Sequence, residues 1–161
     1  MKTIIATIQT ADITLETDDD GMEFVEFTAD MDIDCDGSGG NPHHDPYFQP
    51  DTRLHLHGNP LHAETVPYMV VPPVILAKTR GKVLGSLCEV TNMSNDRTAL
   101  AVVGDSGPTR KVGEGSPALA ELLGLDGNPN HGGTSGFIIR YRIHVGRAAV
   151  IDGVAYDLQS A

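Results

Sequence analysis

The sequence predicts a single mainly β domain, a barrel or sandwich of short strands with one or two short helices. Three observations carry this. The 161 residues suffice for one core and not for two. Glycine and proline are frequent, at 18 and 10 residues, which favours turns over long helices. Short apolar or alternating runs recur along the chain, bounded by turn residues. No apolar run reaches the roughly 18 residues that a membrane helix needs.

In order, residues 3–16 read as one or two strands, through Ile4, Ile5, Ile8, Ile13 and Leu15. Residues 22–29 read as another. From Asp30 to Asp36 acids alternate with Met31, Ile33 and Cys35, the period of a half-buried strand. Residues 37–60 are dense in Gly, Pro and His, and a loop of that length inside a small domain is often functional. Strand signals return at 66–79, interrupted at Pro72-Pro73, then at 82–91 and 98–103. One helix is well marked. Ser116 is its N-cap, Pro117 its first residue, Ala118 to Leu123 its body and Gly124 its stop. Residues 137–145 alternate, so Phe137, Ile139, Tyr141, Ile143 and Val145 share one face.

The net charge is −11, from 22 Asp/Glu against 11 Lys/Arg. Residues 1–50 hold 12 of the acids against Lys2 alone, so the whole excess lies in the first third. A field of this sign repels nucleic acid and anionic lipid, and neither is expected as a partner. It attracts a cation or a polycation; a solvated acidic face that aids solubility is the plainer alternative. Cys35 and Cys88 sit in no zinc spacing, and the sequence leaves open whether they pair or stay as buried thiols. Met1 to Ala6 lack the apolar stretch of a secretory signal.

The strongest local unit spans residues 99–124 (ALAVVGDSGPTRKVGEGSPALAELLG). An apolar strand delivers Asp105 into a turn, and Glu114 follows just before the helix cap. Two carboxylates so placed suit hydrolysis of a glycosidic bond, one protonating the leaving oxygen and the other activating water or attacking. Asp105 as a plain turn residue and Glu114 as a helix N-terminal acid is the structural alternative. Asp32-x-Asp34-x-Asp36-Gly37 opens like a calcium loop, but His43 stands where an EF-hand needs Glu. A different calcium site, an acidic wall for a cationic ligand and a charged edge strand all remain open. Five of the seven histidines lie at 43, 44, 55, 57 and 62. His55 and His57 would share a face on a strand, with His62 or Asp45 as a third ligand, but no metalloenzyme signature joins them and no metal or other cofactor is expected. Ser106 lacks the spacing of a nucleophile elbow.

Aromatic platforms for sugars are few. There is no Trp, and Tyr47, Phe48 and Tyr68 are the candidates. An amino-sugar polymer would instead be held by carboxylates, Asp34 and Asp36 foremost, through charge-assisted hydrogen bonds.

These residues resemble the chitosanases of glycoside hydrolase family 75. The resemblance is carried by DMDIDCDG (residues 30–37), the stretch from Asp45-Pro46 to Asp51-Thr52, VPYMVVP (66–72), Gly132-Gly133 and, above all, AVVGDSGP with VGEGSPALAELLG. It implies a six-stranded double-psi β-barrel over residues 1–161, similar to family 45 endoglucanases and expansins. It implies inverting endo-hydrolysis of β-1,4 bonds in chitosan, a polycation, or a related amino-sugar polysaccharide. The family's catalytic pair maps onto Asp105 and Glu114, and analogy with those barrels makes Glu114 the acid and Asp105 the base or water-orienting group. Asp34, Asp36, Asp45 and Tyr68 are the substrate-binding candidates. The alternative is a non-catalytic acidic barrel module of a cell-wall or virion assembly, with calcium binding as an open feature of it.

Overall fold

A computed structural model describes residues 1–161. The strands are β1 (Lys2–Ile8), β2 (Ala11–Thr17), β3 (Glu23–Ile33), β4 (His55–Leu56), β5 (Asn59–Pro60), β6 (Tyr68–Val71), β7 (Ser86–Asn92), β8 (Arg97–Ser106), β9 (Glu114–Gly115), β10 (Thr134–Ala148), β11 (Val150–Ile151) and β12 (Val154–Ala155). Two one-turn-and-a-half helices complete the set, α1 (Pro73–Lys78) and α2 (Pro117–Leu122).

Six strands close into a barrel in the order β3-β10-β7-β8-β6-β9, with β9 returning to β3. The β3–β9 and β6–β8 contacts are parallel and the other four antiparallel. The expected mainly β barrel with short helices is therefore present. β1 and β2 lie outside the ring. β2 pairs with the first part of β3, from Glu23 to Glu26, and β9 takes the end of β3 at Asp32 and Ile33. One long strand thus carries an outer hairpin and closes the barrel. No helix is long and apolar enough to cross a membrane.

The alternation read from the sequence builds the core. Val25, Ala29 and Met31 on β3 and Ile139, Tyr141 and Ile143 on β10 are fully buried. The rings of Phe27 and Tyr141 stack at 4.7 Å across the β3–β10 pair. Phe137 departs from the expected face and is 42% exposed, because the β3–β10 register breaks between Thr134 and Ile139.

Other boundaries moved for local reasons. The β1–β2 turn uses Gln9 and Thr10 at φ 52° and 67°, positions where glycine or asparagine would have signalled a hairpin. The strand read through Asp36 ends at Ile33, and Asp34 to Asp36 lie in the following turn. Pro72-Pro73 does not interrupt a strand. It ends β6 and starts α1, Pro73 standing where a missing N–H costs nothing. The strand read at 82–91 begins only at Ser86, Val83 and Leu84 being buried ahead of it. His57 sits in the β4–β5 turn at φ 52°, so His55 and His57 do not share a strand face. Cys35 and Cys88 are buried free thiols.

Candidate active site

The site is organised around β6. Val70 pairs with Asp105 of β8 on one side and with Glu114 of β9 on the other. The two acids are therefore two interstrand spacings apart at the backbone, about 9.5 Å. Residues opposite one another share a sheet face, so both side chains lie on the face of Val70. A side chain at Gly107 would meet Glu114 Oε2 at 2.7 Å and Val70 Cγ1 at 2.9 Å, which places Glu114 and Val70 against one space.

The placement of Asp105 depends on a bulge. Met69 pairs with Val103 and Val70 with Asp105, so Gly104 is skipped. In an unbroken ladder Gly104 would oppose Val70 and Asp105 would point to the other face. Only glycine fits the bulge closely: a Cβ there would lie 2.7 Å from Leu61 Cδ1 and 2.8 Å from Tyr68 Cβ. Asp105 is 7% exposed, and its Oδ1 accepts from Arg53 N at 3.0 Å and Ser106 N at 2.9 Å.

Glu114 is held by the segment that follows it. Ser116 Oγ donates to Val66 O at 2.7 Å and accepts from Tyr68 N at 3.0 Å and Leu119 N at 3.3 Å. One hydroxyl thus caps α2 and ties it to the start of β6. The Glu114 carboxylate itself makes no hydrogen bond or ion pair with protein, and it opens onto a cleft of about 720 Å³. Asp34, Asp36 and Asp45 line the same cleft. Ligand oxygens of Asp34, Asp36 and Asp105 all lie within 4.8 Å of one another.

The family model described as "Fungal chitosanase of glycosyl hydrolase group 75" matches residues 31–159. The chain belongs to that family. Two curated proteins from Aspergillus oryzae, each named Endo-chitosanase C, are similar to it. Each is 30% identical, over 142 and 137 residues, covering 81% of this chain and 34% of the relative. The chain spans about a third of the length of these relatives. In this family 75 chain, Asp32, Asp34, Asp36, Asp45, Asp105 and Glu114 all fall within the matched residues. The outer hairpin of β1 and β2 lies before them.

The electrostatics of the cleft in this family 75 chain follow from burying like charges together. Burial pushes Asp105 up to about 7, and Asp34 and Asp36 add to the shift, against the two backbone N–H groups. Glu114 is likewise raised to about 7, by burial and then Asp34, with Lys111 opposing. Asp36 reaches about 7 by burial and then Asp34, while Asp34 is raised mainly by burial. The cleft thus carries fewer negative charges at neutral pH than its acid count suggests, until a cation enters.

Sequence-predicted residues fall in three groups. Asp34, Asp36 and Asp105 lie together, Glu114 lines the same cleft as Asp34 and Asp36, and Asp45 lines it too, its Oδ1 accepting from Tyr47 N at 2.9 Å. Tyr68 does not present a face to a sugar. It is 0% exposed, with its hydroxyl 2.8 Å from Asp36 O, 3.0 Å from Asp34 O and 3.2 Å from Asp34 Oδ1. It braces the acidic turn from within the core, because β6 is buried on both sides. Tyr47, 83% exposed, is the aromatic that lines the cleft. In the Asp32-x-Asp34-x-Asp36 run, Asp32 lines the same cleft but stands outside the cluster of Asp34, Asp36 and Asp105, and it pairs with Lys111. His55 Nε2 meets Asp51 Oδ1 at 2.6 Å.

The reading from sequence missed Lys111, the cation of this cleft, and Asn130 and His131, which reach it from the loop before β10. Lys111 had a signal, a cation in the short loop between the paired acids. Asn130 and His131 had none beyond a polar turn.

Proposed function

We propose that this chain is a glycosidase that cuts chitosan or a related amino-sugar polymer within the chain, at β-1,4 bonds and with inversion. One observation carries the reading: Asp105 and Glu114 flank Val70 from the two strands on either side of β6, both with raised pKa, Glu114 on the acidic cleft and Asp105 against Asp34 and Asp36, which line that cleft. Backbones about 9.5 Å apart leave room for a water between the carboxyl groups, as inversion requires. Glu114 has no protein donor to hold its charged form, which suits a general acid. Asp105 accepts two backbone N–H bonds, which favour the carboxylate and suit the base that activates water. Asp34, Asp36 and Asp45 hold sugar ammonium groups, and Tyr68 positions the first two. The name of the Aspergillus relatives supports the polymer.

The test is release of reducing ends from highly deacetylated chitosan, with the anomer of the first product read by NMR. Release with inversion is expected; a folded protein that releases none overturns the reading. Apparent affinity should also weaken as salt rises from low ionic strength through about 0.1 M, where the screening length falls to about 10 Å. Affinity indifferent to salt would remove the role given to the acidic wall.

A second reading, a non-catalytic calcium-binding module, is favoured by the Asp34, Asp36 and Asp105 oxygens alone. Calcium that binds only the folded state raises the melting temperature. No shift at millimolar calcium is expected, and that result removes this second reading.

A further inference from the structure

One cation stands among the acids of the cleft in a fixed place. Lys111 lies three residues before Glu114, in the segment between β8 and β9, and its ammonium pairs with Asp32. Asp32 in turn stands opposite Glu114 in the parallel β3–β9 pair. Asp32 N donates to Gly113 O and Asp34 N to Gly115 O, both at 2.9 Å, which fixes that register. Residues opposite one another share a sheet face, and Asp32, Lys111 and Glu114 all line the cleft. The Glu114 carboxylate has no ion pair of its own, so Lys111 is kept in the cleft by a second acid and not by Glu114.

The other groups around Glu114 are mostly acids. β3 brings Asp32 and Asp34, with Asp30 one alternation earlier, the turn after it brings Asp36, and β8 brings Asp105. The loop before β4 adds Asp45 and Tyr47, the loop before β10 adds His131, and β10 itself adds the buried Tyr141. β6 brings Val70, which has no charge. Lys111 is the only lysine or arginine that lines the cleft. Asp30 adds to the demand on it, because its Oδ1 is buried without a hydrogen-bond partner.

We propose that Lys111 and Asp32 are positioning residues for the acid, an ion pair that keeps one ammonium beside Glu114 and sets how strongly it is felt there. A general acid must give up its proton as well as hold it, and it works best when it titrates near the working pH. Burial and then Asp34 raise Glu114, and Lys111 is the group that opposes them. Asp32 limits that opposition by neutralising part of the lysine's charge. This inference rests on the amino-sugar hydrolase reading and adds to it how the acid is tuned.

The two partners should act in opposite directions, which a merely structural ion pair would not do. The Lys111 and Asp32 side chains are 29% and 45% exposed, so neither replacement disturbs the core. The Glu114 carboxyl is titrated by carbon-13 NMR in protein labelled at glutamate, so that the aspartates stay silent, and its resonance is assigned by its loss in Glu114→Gln. The basic limb of kcat/KM on deacetylated chitosan is measured beside it. Lys111→Met should raise both by about 0.5–1 pH unit, the worth of a nearby charge partly screened by solvent. Asp32→Asn frees the ammonium and should lower both by a similar amount. Lys111→Arg keeps the charge and should keep both values, and the double variant of Asp32→Asn with Lys111→Met should fall between the two single ones. Shifts of the same sign in the two single variants, or no shift in either, overturn the proposal and leave the hydrolase reading standing. Opposite NMR shifts in a protein that cuts no chitosan overturn the hydrolase reading and leave the coupling of the pair to Glu114 in place.

Discussion

On the proposed function, Glu114→Gln and Asp105→Asn should each lower turnover on deacetylated chitosan by roughly 10²–10⁴-fold, the usual worth of one general acid or base. The barrel survives both, since each replacement keeps the shape of the side chain. In Asp105→Asn the new amide oxygen can still accept from Arg53 N and Ser106 N. Stability provides a second, independent readout. Asp105 and Glu114 both titrate near 7 in the folded chain, against 3.8 and 4.5 for the free groups. The folded state therefore holds more protons than the unfolded one between those limits. Their contribution to stability is fully present below about pH 4 and lost as pH rises through about 7. At pH 8 the folded chain carries buried like charges that the amide lacks. Asp105→Asn should gain on the order of 2 kcal/mol at pH 8, or about 5 °C in melting temperature, and almost nothing at pH 4. Turnover near wild type in either variant removes that residue from the pair. A pH-independent stability change would remove the buried-charge account of Asp105.

Gly37→Ala is the largest expected loss of stability. Gly37 has φ +126°, which L-residues rarely adopt, and an added Cβ would lie 1.9 Å from the carbonyl oxygen of Leu61. That oxygen accepts from Ser38 N, and Gly37 N donates to Gln49 O, so the turn cannot shift without breaking backbone bonds. Strain and overpacking together cost about 3 kcal/mol or more, roughly 10 °C in melting temperature. Activity should fall with it, because the same turn carries Asp34 and Asp36. Gly40→Ala is the comparison. Gly40 also has positive φ, at 72°, but nothing lies within 4 Å of its added Cβ, so it should lose only about 1 kcal/mol. Equal melting of the two variants would refute the role given to Leu61. The glycine that ends Asp32-x-Asp34-x-Asp36-Gly37 is thus required by a passing backbone, whatever the acids before it bind.

The sequence by itself determined the elements whose cause is local or periodic. Ser116-Pro117 set the start of α2, and the alternation at Ile139, Tyr141 and Ile143 marked the core face of β10. It also singled out Asp105 and Glu114 as a spaced pair of acids, although a turn residue and a helix N-terminal acid read the same way locally, and the resemblance to family 75 rather than the local pattern favoured the pair. Where period and local signal disagreed with long-range pairing, the sequence was mute. Gln9-Thr10 turns a hairpin without a turn signature, and Pro72-Pro73 reads equally as a broken strand or a helix start.

Only the tertiary structure decided what the acids do together. Asp34 and Asp105 are distant in the chain and belong to different strands' ends, so their closeness depends on barrel closure through β9. The bulge at Gly104 decides which face Asp105 takes, a one-residue matter that no composition reveals. Burial decided Tyr68. An aromatic beside a sugar-facing motif looks like a platform from sequence, yet a strand packed on both sides turns it inward, where its hydroxyl holds the acidic turn. The raised pKa values have the same origin. Carboxylates become proton donors and acceptors near neutral pH only when folding removes their water and sets them beside one another.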